Sequence, residues 1–526
     1  MEKYKRIVVC VLLSGLYALH PVQCYGQNGS LDTPPNILFV ISDDQSWPHA
    51  GIYGAKEIAT PAFDRIAREG VLFNNAFAAA PQCSPNRAAI LTGRNIWQLE
   101  EAGTHASNFP QKFRVFPDLL EQAGYEIGYT GKGWGPGNWK YNGWDRNPAG
   151  VEYSDQELSE KPVSSVSNLD YAANFRDFYE GRDQRRPFFF WVGTYEPHRV
   201  YEENSGIKSG KDPQNIEVPA FLPDTPEIRS DLLDYYVEIE WFDQQLGHMI
   251  NLLEKNGELE NTLVVVTSDN GMPFPRAKAN LYEYGTHVPL AIRWPEKIGE
   301  GRIVDDLVSS IDFFPTFLDV AGADIPEQVT GRSLLPLLMS QDEEVVNKKR
   351  SAVLTGRERH THARPENLGY PSRSIRTQDY LFIRNLKPER WPAGDPRPEN
   401  RADLTAGDFK SFGRGYADID GSPTKAWMLD NRDRPAVKRL FQLAFEKRPS
   451  KELYNITKDP ACLNNLAGKA EYRSVQNRLE AKLDSLLKVQ NDPRVYGYDI
   501  FESYPRYSPM RNFPGFKERG EYNFDF

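Results

Sequence analysis

The chain is poor in cysteine, with four in 526 residues, and this scarcity excludes a small fold held together by disulfides. Cys10 and Cys24 lie near the N-terminus, which leaves Cys83 and Cys462 in the rest of the chain. Secreted proteins usually pair their cysteines, so a Cys83–Cys462 disulfide is one interpretation. The alternative is a chemically special cysteine at position 83, and the surrounding sequence has to discriminate between the two.

The sequence also lacks an apolar run of the ~20 residues that a membrane-spanning helix needs. The shorter run that begins at Ile7 follows three basic residues and precedes small and polar ones, which is the order of a secretory signal. We therefore expect residues 1–26 to be a cleaved signal peptide and the protein to be secreted or periplasmic. Lipid attachment at Cys24 is disfavoured because Pro21-Val22-Gln23 is a poor lead-in for it.

An excess of positive charge is missing too. The formal net charge of −10 argues against a nucleic-acid binder, although a small anionic substrate needs only a few local cations. The length exceeds the ~250–300 residues at which a single core stops growing, so more than one domain is expected. We predict a main domain over residues 34–345, a second over 350–490, and an aromatic tail over 491–526 that packs on the body.

Short apolar runs alternate with helical patterns over the first two-thirds of the chain. This alternation predicts an α/β fold with a mostly parallel sheet covered by helices. Strands are predicted at residues 36–42, 125–130, 187–194 and 262–268, and a long amphipathic helix at 231–257.

Polar side chains follow each predicted strand, and ligands of open α/β sheets bind at these carboxyl ends. A single aspartate after a strand is more often a turn or a helix cap, but four such strand ends together indicate a site. The residues are Asp43 and Asp44, then Lys132, then Glu196, His198 and Arg199, then Asp269 and Asn270.

These residue types suggest a metal beside an oxyanion. Asp43, Asp44, Asp269 and Asn270 offer hard oxygen ligands, which suit Ca²⁺ or Mg²⁺ better than Zn²⁺. Each pair alone would be interpreted as a solvated turn. The cations Arg87, Lys132 and Lys278, with the titratable His198, would stabilise charge on a tetrahedral group. His198 could also carry protons, although a lone histidine is usually just a hydrogen-bonded loop residue.

The stretch "CSPNRAAILTGR" from Cys83 resembles the signature of the type I, formylglycine-dependent sulfatases. Further stretches are similar to motifs of that family and occur in the family's order: "NILFVISDDQ", "TGKG", "EPHR", "SDNG" and "KANLYEYGTHVPLAI". The resemblance implies an alkaline-phosphatase-like fold, with a large mixed, mostly parallel sheet flanked by helices. It also implies a smaller C-terminal α+β subdomain with an antiparallel sheet.

The resemblance implies a role for each candidate residue. Cys83 would be converted to Cα-formylglycine by a formylglycine-generating or anaerobic sulfatase-maturating enzyme, and the hydrated aldehyde would attack sulfur. The modified Cys83 would join Asp43, Asp44, Asp269 and Asn270 around Ca²⁺, with Mg²⁺ as the alternative. Arg87 and Lys132 would hold the hydrate and the sulfate oxygens. His198 and Lys278 would bind the sulfuryl group and help protonate the leaving atom.

The stretches "SDNGMPFPRAKANLY" and "ELYNITKDPACLNNLA" are similar to the sulfamidase branch of the family. This implies hydrolysis of the N-sulfo group of N-sulfoglucosamine in heparin and heparan sulfate fragments. An O-sulfatase acting on sulfated sugars is the alternative, because a few loop residues can change substrate choice. A phosphatase or phosphonate hydrolase and an inactive carbohydrate-binding homologue are weaker alternatives.

One position departs from the family pattern. The family commonly has a histidine two residues after the lysine of "TGKG", where this chain has Trp134, which cannot carry a proton. We predict that Trp134 contacts the sugar instead, together with Glu196 and Arg199. The His- and Arg-rich stretch 357–373 could close the pocket and bring His360 to the sugar, or it could be a solvated basic loop. Substrate length and a homo-oligomer are left open.

Overall fold

The computed structural model describes residues 34–361, 363, 364, 366, 368–396 and 415–505. The predicted signal peptide, with Cys10 and Cys24, and the end of the predicted tail lie outside these residues.

Strands and helices alternate along most of the described chain, as the sequence pattern predicts. The strands are β1 (Asn36–Ser42), β2 (Val71–Phe73), β3 (Ala76–Phe77), β4 (Glu126–Gly131), β5 (Phe188–Gly193), β6 (Thr262–Ser268), β7 (His287–Val288), β8 (Leu290–Arg293), β9 (Arg302–Val304), β10 (Val308–Ser309), β11 (Val353–Arg357), β12 (Ser372–Arg376), β13 (Tyr380–Asn385) and β14 (Lys451–Asn455). The helices are α1 (Pro61–Arg68), α2 (Cys83–Thr92), α3 (Phe116–Gln122), α4 (Tyr171–Gly181), α5 (Ser205–Lys208), α6 (Pro226–Lys255), α7 (Glu283–Thr286), α8 (Phe313–Val320), α9 (Leu335–Leu338), α10 (Pro423–Asp430), α11 (Pro435–Phe445) and α12 (Arg473–Val489).

The main sheet has seven strands in the order β4-β5-β1-β6-β8-β2-β9. The first four strands run parallel to one another, and β8 is antiparallel to both of its neighbours. Strands β1, β5 and β6 are buried along their whole length, which explains their continuous apolar, β-branched and aromatic sequences. The four predicted strands are confirmed, with ends that differ from the prediction by no more than one residue.

Helices cover both faces of this sheet. On one face, Phe63 of α1, Phe178 of α4 and Leu246 of α6 belong to one buried cluster with strand residues. On the other face, the ring of Phe39 in β1 packs against Phe317 of α8, with ring centroids 5.0 Å apart. Helix α6 begins five residues before the predicted start, since Pro226 fits the first turn, where no hydrogen-bonded N–H is needed.

The C-terminal region contains a second, four-stranded sheet in the order β11-β12-β13-β14, and every pair in it is antiparallel. Helix α12 lies against it and buries Leu479, Leu483 and Leu487. The expected antiparallel sheet is therefore confirmed. The described residues from Pro34 onward form one compact unit, and the predicted boundaries at 345 and 350 stay predictions.

The first part of the predicted tail packs on the body, where Phe501 is buried and Arg359 donates to the carbonyl of Pro505 at 2.9 Å. None of the helices in the part of the chain that the structure describes is long and apolar enough to cross a bilayer.

Candidate active site

The four strand ends that carry the predicted polar residues lie side by side. Strands β4, β5, β1 and β6 are consecutive neighbours and parallel, so their carboxyl ends share one edge of the sheet. Each strand ends just before its polar residues, namely Lys132 after β4, Glu196 and His198 after β5, Asp43 and Asp44 after β1, and Asp269 and Asn270 after β6. The main sheet thus brings the predicted site together.

The acidic residues form a tight group. Carboxylate oxygens of Asp43, Asp44 and Asp269 all lie within 4.8 Å of one another. The backbone N–H of Asp44 donates to Asp269 Oδ1 at 3.1 Å, and Asn270 Nδ2 donates to Asp44 Oδ1 at 2.7 Å. Asp44 has a φ of 76°, a left-handed conformation that is costly for a residue other than glycine. Such strain persists where the surroundings hold it, and it clusters at functional sites.

Burial and the neighbouring charges shift the pKa of these carboxyl groups. Burial raises the pKa of Asp44 and of Asp269 to about 6, and the neighbouring carboxylates add to the rise. Burial acts on Asp43 in the same direction, but Lys132, His198 and Arg87 overcome it and hold the pKa of Asp43 below its usual range. A cation placed among the three carboxylates would favour the ionised form of all of them.

Unpartnered atoms at this edge fit a metal and an anion. Asp43 Oδ1 and Asn270 Oδ1 are buried acceptors to which no described group donates a hydrogen bond. A buried polar atom without a partner is costly, so these two oxygens suit a hard cation. Arg87 Nη2 is a buried donor that no described acceptor satisfies, and it suits an anionic oxygen.

Cys83 is the first residue of α2 and is buried. The helix is held against β6, because Asn86 Nδ2 donates to the carbonyl of Asp269 at 2.5 Å and Arg87 Nε donates to Asp269 Oδ2 at 2.8 Å. Arg87 Nη1 also donates to the carbonyl of Lys132 at 2.5 Å. Burial raises the pKa of the Cys83 thiol to about 11, so the encoded thiol is a poor nucleophile at neutral pH.

The interpretation of Cys83 and Cys462 as a disulfide pair is wrong. Cys83 and Cys462 are both free and buried, in different regions of the fold. Cys462 belongs to a small apolar cluster with Tyr282 and Tyr454.

A histidine that the sequence analysis did not identify lies beside Cys83. His105 Nε2 is 3.3 Å from Cys83 Sγ. The ring of His360 meets the ring of His105 edge-on, with centroids 4.8 Å apart, and His360 Nδ1 lies 3.0 Å from Asp418 Oδ1. In the sequence His105 is a single histidine in a polar segment, and the absence of a histidine at position 134 is the one sequence signal that could have prompted a search for it.

Lys278 and His198 lie near the same oxygen of Asp44. Lys278 Nζ is 2.5 Å from Asp44 Oδ2 and 3.3 Å from Asp420 Oδ2. His198 Nε2 is 3.8 Å from the same Asp44 oxygen, and its Nδ1–H donates to the carbonyl of Arg199 at 2.7 Å. Burial and the charge of Lys278 lower the pKa of His198, and its 36 % exposed side chain limits that lowering.

Lys132 approaches from β4 and forms an ion pair with Asp43. All five predicted catalytic positions are therefore placed around one acidic group: Cys83, Arg87, Lys132, His198 and Lys278.

The predicted sugar-contacting residues lie near the site, but each is already engaged. Trp134 is 3 % exposed and donates its Nε1–H to the carbonyl of Ser84 at 3.1 Å. Glu196 accepts from Ser167 N at 2.6 Å and from Tyr171 Oη at 2.9 Å.

Arg199 pairs through two nitrogens with Asp231, at 2.7 and 2.8 Å, and His360 is buried between His105 and Asp418. The sugar contacts of these four residues stay predictions.

Comparison with known proteins shows the family of this chain. The family described as Sulfatase matches residues 35–323, which include both metal-type strand ends, Cys83 and Lys278. The chain belongs to the sulfatase family. As a family member it is a hydrolase of sulfuric esters or sulfamates. A second family, described as N-sulphoglucosamine sulphohydrolase, C-terminal, matches residues 276–395.

Curated relatives of this sulfatase include an enzyme named for N-sulfo groups and an enzyme named for O-sulfo groups. N-sulphoglucosamine sulphohydrolase of Homo sapiens is 30 % identical, over 91 % of this chain and 95 % of its own length. N-acetylglucosamine-6-O-sulfatase of Bacteroides thetaiotaomicron is 25 % identical, over 92 % of each chain.

Solved structures support the fold. A protein solved in complex with its substrate D-glucosamine-2-N,6-O-disulfate has a TM-score of 0.62 and 22 % identity, covering 88 % of this sulfatase and 99 % of that chain. The phosphonate monoester hydrolase of Agrobacterium radiobacter has a TM-score of 0.60 and 17 % identity, covering 87 % and 96 %. The expected alkaline-phosphatase-like architecture is confirmed.

Proposed function

We propose that this sulfatase hydrolyses the N-sulfo group of N-sulfoglucosamine in heparin and heparan sulfate fragments. One arrangement carries the proposal. Cys83, at the start of α2, lies at the sheet edge that also holds the unpartnered oxygens of Asp43 and Asn270 and the unpartnered Arg87 Nη2, as a group that transfers a sulfuryl unit requires. The similarity to the human enzyme over nearly the full length supports a sulfamate as the bond that is cleaved.

Asp43, Asp44, Asp269 and Asn270 would hold a divalent ion, with the modified residue 83 as a further ligand. The hard oxygen set favours Ca²⁺, with Mg²⁺ as the alternative. When bound, the ion polarises sulfuryl oxygens, and formylglycine at position 83 supplies a hydrated aldehyde with two hydroxyl groups.

The cationic side chains orient the sulfuryl group. Arg87 is fixed by Asp269 and by the carbonyl of Lys132, which leaves its Nη2 to bind a sulfuryl oxygen. Lys132 and Lys278 each neutralise one aspartate and keep further N–H donors. Asp420 and Asp44 raise the pKa of Lys278 although its burial acts in the other direction, so Lys278 stays charged and can donate to the leaving atom.

His198 presents an acceptor, Nε2, to the site in the resting enzyme. Its Nδ1–H is committed to a carbonyl, and its lowered pKa leaves Nε2 as an acceptor near neutral pH. An anionic substrate would favour protonation of that nitrogen, so His198 would acquire a proton to share with the leaving group as the sulfuryl group binds.

His105 supplies the proton-carrying group that Trp134 cannot supply. Its Nε2 lies within contact distance of the side chain at position 83, whereas Trp134 has its N–H tied to Ser84. His360 and Asp418 behind it hold the ring in place. His105 is thus positioned to exchange protons with the hydroxyl groups of a hydrated aldehyde.

Peptide mass spectrometry across residues 81–94 tests the nucleophile. Protein made with a maturation enzyme should show a loss of roughly 18 Da at Cys83, as the thiol becomes an aldehyde, because the encoded thiol is not the nucleophile. The Cys83→Ala variant, as the matched control, should show no modification and no turnover. Full activity of protein with an unmodified Cys83 would rule out this mechanism.

Sulfate release from N-sulfoglucosamine, compared with 6-O-sulfated N-acetylglucosamine, tests the substrate. We expect faster release from the first. Turnover of the second alone would instead favour an O-sulfatase, the second candidate, which the Bacteroides thetaiotaomicron relative supports.

The enzyme's location and its maturation partner follow from two further features of the sequence. The predicted signal at residues 1–26 favours secretion or a periplasmic location, and the modification at Cys83 requires a maturation enzyme as a partner.

A further inference from the structure

Asp420 lies at the edge of the site on a segment that is fixed on both sides. Asp418, two residues before it, is buried and binds Arg357 Nη2 at 2.7 Å and Arg364 Nη2 at 2.5 Å. Ser422, two residues after it, caps helix α10 by accepting from the backbone N–H of Lys425. Contacts on both sides of Asp420 therefore anchor the segment and set the position of its carboxylate.

The carboxylate of Asp420 reaches the reacting region. Its Oδ2 is 3.3 Å from Lys278 Nζ, and its oxygen lies within 4.8 Å of the ligand atoms of Asp44 and His198. Its side chain is 11 % exposed, in contrast to the fully buried Asp44. Asp420 therefore lies beside Lys278 and His198, the two groups proposed to protonate the leaving atom.

A carboxylate in this position would repel the negative oxygens of a bound sulfuryl group. The terminal oxygens of sulfate are negative, so a second negative group close to them costs energy, and no sulfuryl oxygen can donate to Asp420. A carboxylate accepts hydrogen bonds and donates none when ionised. The part of the substrate that faces Asp420 must then carry a hydrogen atom.

The atom that joins carbon to sulfur differs between the two classes of substrate in whether it carries a hydrogen atom. In a sulfamate the atom between carbon and sulfur is nitrogen, which bears a hydrogen atom. In a sulfate ester it is an oxygen with lone pairs alone. The first can donate to a carboxylate, and the second is repelled by it. A site built to accept a hydrogen bond discriminates strongly against a substrate that lacks the donor.

We propose that Asp420 is a specificity-determining residue that accepts a hydrogen bond from the sulfamate N–H and so selects N-sulfo over O-sulfo substrates. This inference rests on the proposed sulfamidase function. When the N–S bond breaks, its electron pair stays on nitrogen, and sulfur bonds to the attacking hydroxyl oxygen, whose proton passes to His105. The nitrogen gains one proton from Lys278 or His198, and Asp420 exchanges none.

Two other roles for Asp420 give different outcomes. As a counter-ion of Lys278 alone, it would affect N-sulfo and O-sulfo substrates equally. As a further metal ligand, its loss would lower the metal content of the protein. Both can be measured on the same variants.

The test compares N-sulfoglucosamine with glucose 2-O-sulfate, which differ at carbon 2 by NH against O. Wild-type enzyme, Asp420→Asn and Asp420→Ala are assayed for kcat/KM on both. The Asp420→Asn side chain keeps the shape, loses the charge and gains an N–H that can donate to an ester oxygen. Removing a charge-assisted hydrogen bond should lower kcat/KM on N-sulfoglucosamine roughly 10- to 100-fold.

We expect the ratio of the two kcat/KM values to fall at least about tenfold in Asp420→Asn, with Asp420→Ala intermediate. Asp420→Glu, which retains the charge, should restore part of the preference. Asp433→Asn is the matched control, because the side chain of Asp433 is 99 % exposed and pairs with Arg432, and it should keep the wild-type ratio. Metal content by mass spectrometry and thermal denaturation are recorded for every variant.

An unchanged ratio in Asp420→Asn, with both activities lowered together, overturns the proposal in favour of the counter-ion role. Loss of bound metal in that variant overturns it in favour of a metal ligand. Failure of the wild-type enzyme to cleave N-sulfoglucosamine, with cleavage of O-sulfated sugars, refutes the proposed function itself and the role of Asp420 with it. If Asp420→Asn does not fold, Asp420→Glu and Asp420→Ala decide by the same ratio.

Discussion

Arg87 and Asp269 form a fully buried ion pair, with Arg87 Nε 2.8 Å from Asp269 Oδ2 and neither side chain exposed. The pair joins the helix that begins with Cys83 to the end of β6, which is followed by the proposed metal ligands Asp269 and Asn270. The nucleophile position and the proposed metal site therefore move as one unit, which keeps the reacting groups in fixed geometry.

Replacing Arg87 should affect both folding and catalysis. Arg87→Gln leaves Asp269 as an uncompensated buried charge, and breaking such a pair costs about 3–5 kcal/mol. Urea denaturation should show this loss in metal-free protein and a smaller loss with saturating Ca²⁺, since the cation replaces the missing positive charge.

Arg87→Lys is the matched control for charge. One ammonium group cannot reach Asp269 and the carbonyl of Lys132 in the same geometry, so sulfate release should fall at least about 100-fold while the fold is retained. Near-normal turnover of Arg87→Lys would show that a positive charge alone suffices at this position.

Metal binding should weaken in acid. In the metal-free site the pKa values of Asp44 and Asp269 are raised to about 6, so below that pH protons compete with the metal for both carboxylates. Calorimetric titration with Ca²⁺ should give an affinity that levels off above about pH 7 and falls by up to about tenfold per carboxylate per pH unit below pH 6.

The same raised pKa values make the stability of the metal-free protein depend on pH. Folded-state pKa values above the unfolded value of 3.8 mean that these two groups destabilise the metal-free fold at pH values above 6, and that this cost disappears in acid. Added Ca²⁺ should raise the melting temperature more at pH 7.5 than at pH 5. An equal increase at both pH values would contradict the shifted carboxylates.

His105 should be needed for turnover rather than for folding. His105→Gln keeps a polar side chain of similar length but cannot exchange a proton, so kcat should fall about 100-fold with a smaller change in KM. The pH–rate profile should lose one limb. The formylglycine content must be measured in parallel, because a variant with normal kcat per modified molecule would show that His105 acts on the maturation of Cys83 and not on the reaction.

Trp134→Phe should reduce stability more than activity. The variant keeps an aromatic ring against Phe109 but removes the hydrogen bond to the carbonyl of Ser84, and one such bond contributes ~0.5–1.5 kcal/mol to stability. Chemical denaturation should detect the loss. A raised KM for the sugar with unchanged stability would instead support the predicted stacking of Trp134 on the substrate.

Local sequence was enough to place most of the site. The strands before Asp43 and Asp269 are continuous apolar runs, and a buried parallel strand ending in acidic residues projects them at the ligand-binding edge. His105 and Asp420 could not be found in this way, because each lies in an irregular segment without periodicity. They reach the site by long-range folding, His105 through contact with α2 and Asp420 through the C-terminal region.

Glu196, Arg199 and Trp134 show the converse. Sequence placed them beside the site because they flank the strand ends, but it could not show what they contact. Their polar atoms bind Tyr171, Asp231 and the carbonyl of Ser84, all partners that are distant in sequence.

The sequence by itself determined the class of fold, the strands, the motif around Cys83 and the residues at four strand ends, because these depend on local periodicity and short spacing. Tertiary structure decided that those four strands are neighbours, that Cys83 is a free residue facing His105, and that Asp420 lies beside Lys278. The reason is physical. A strand or a helix is specified by a few adjacent residues, whereas contacts between remote segments depend on the packing of the whole core.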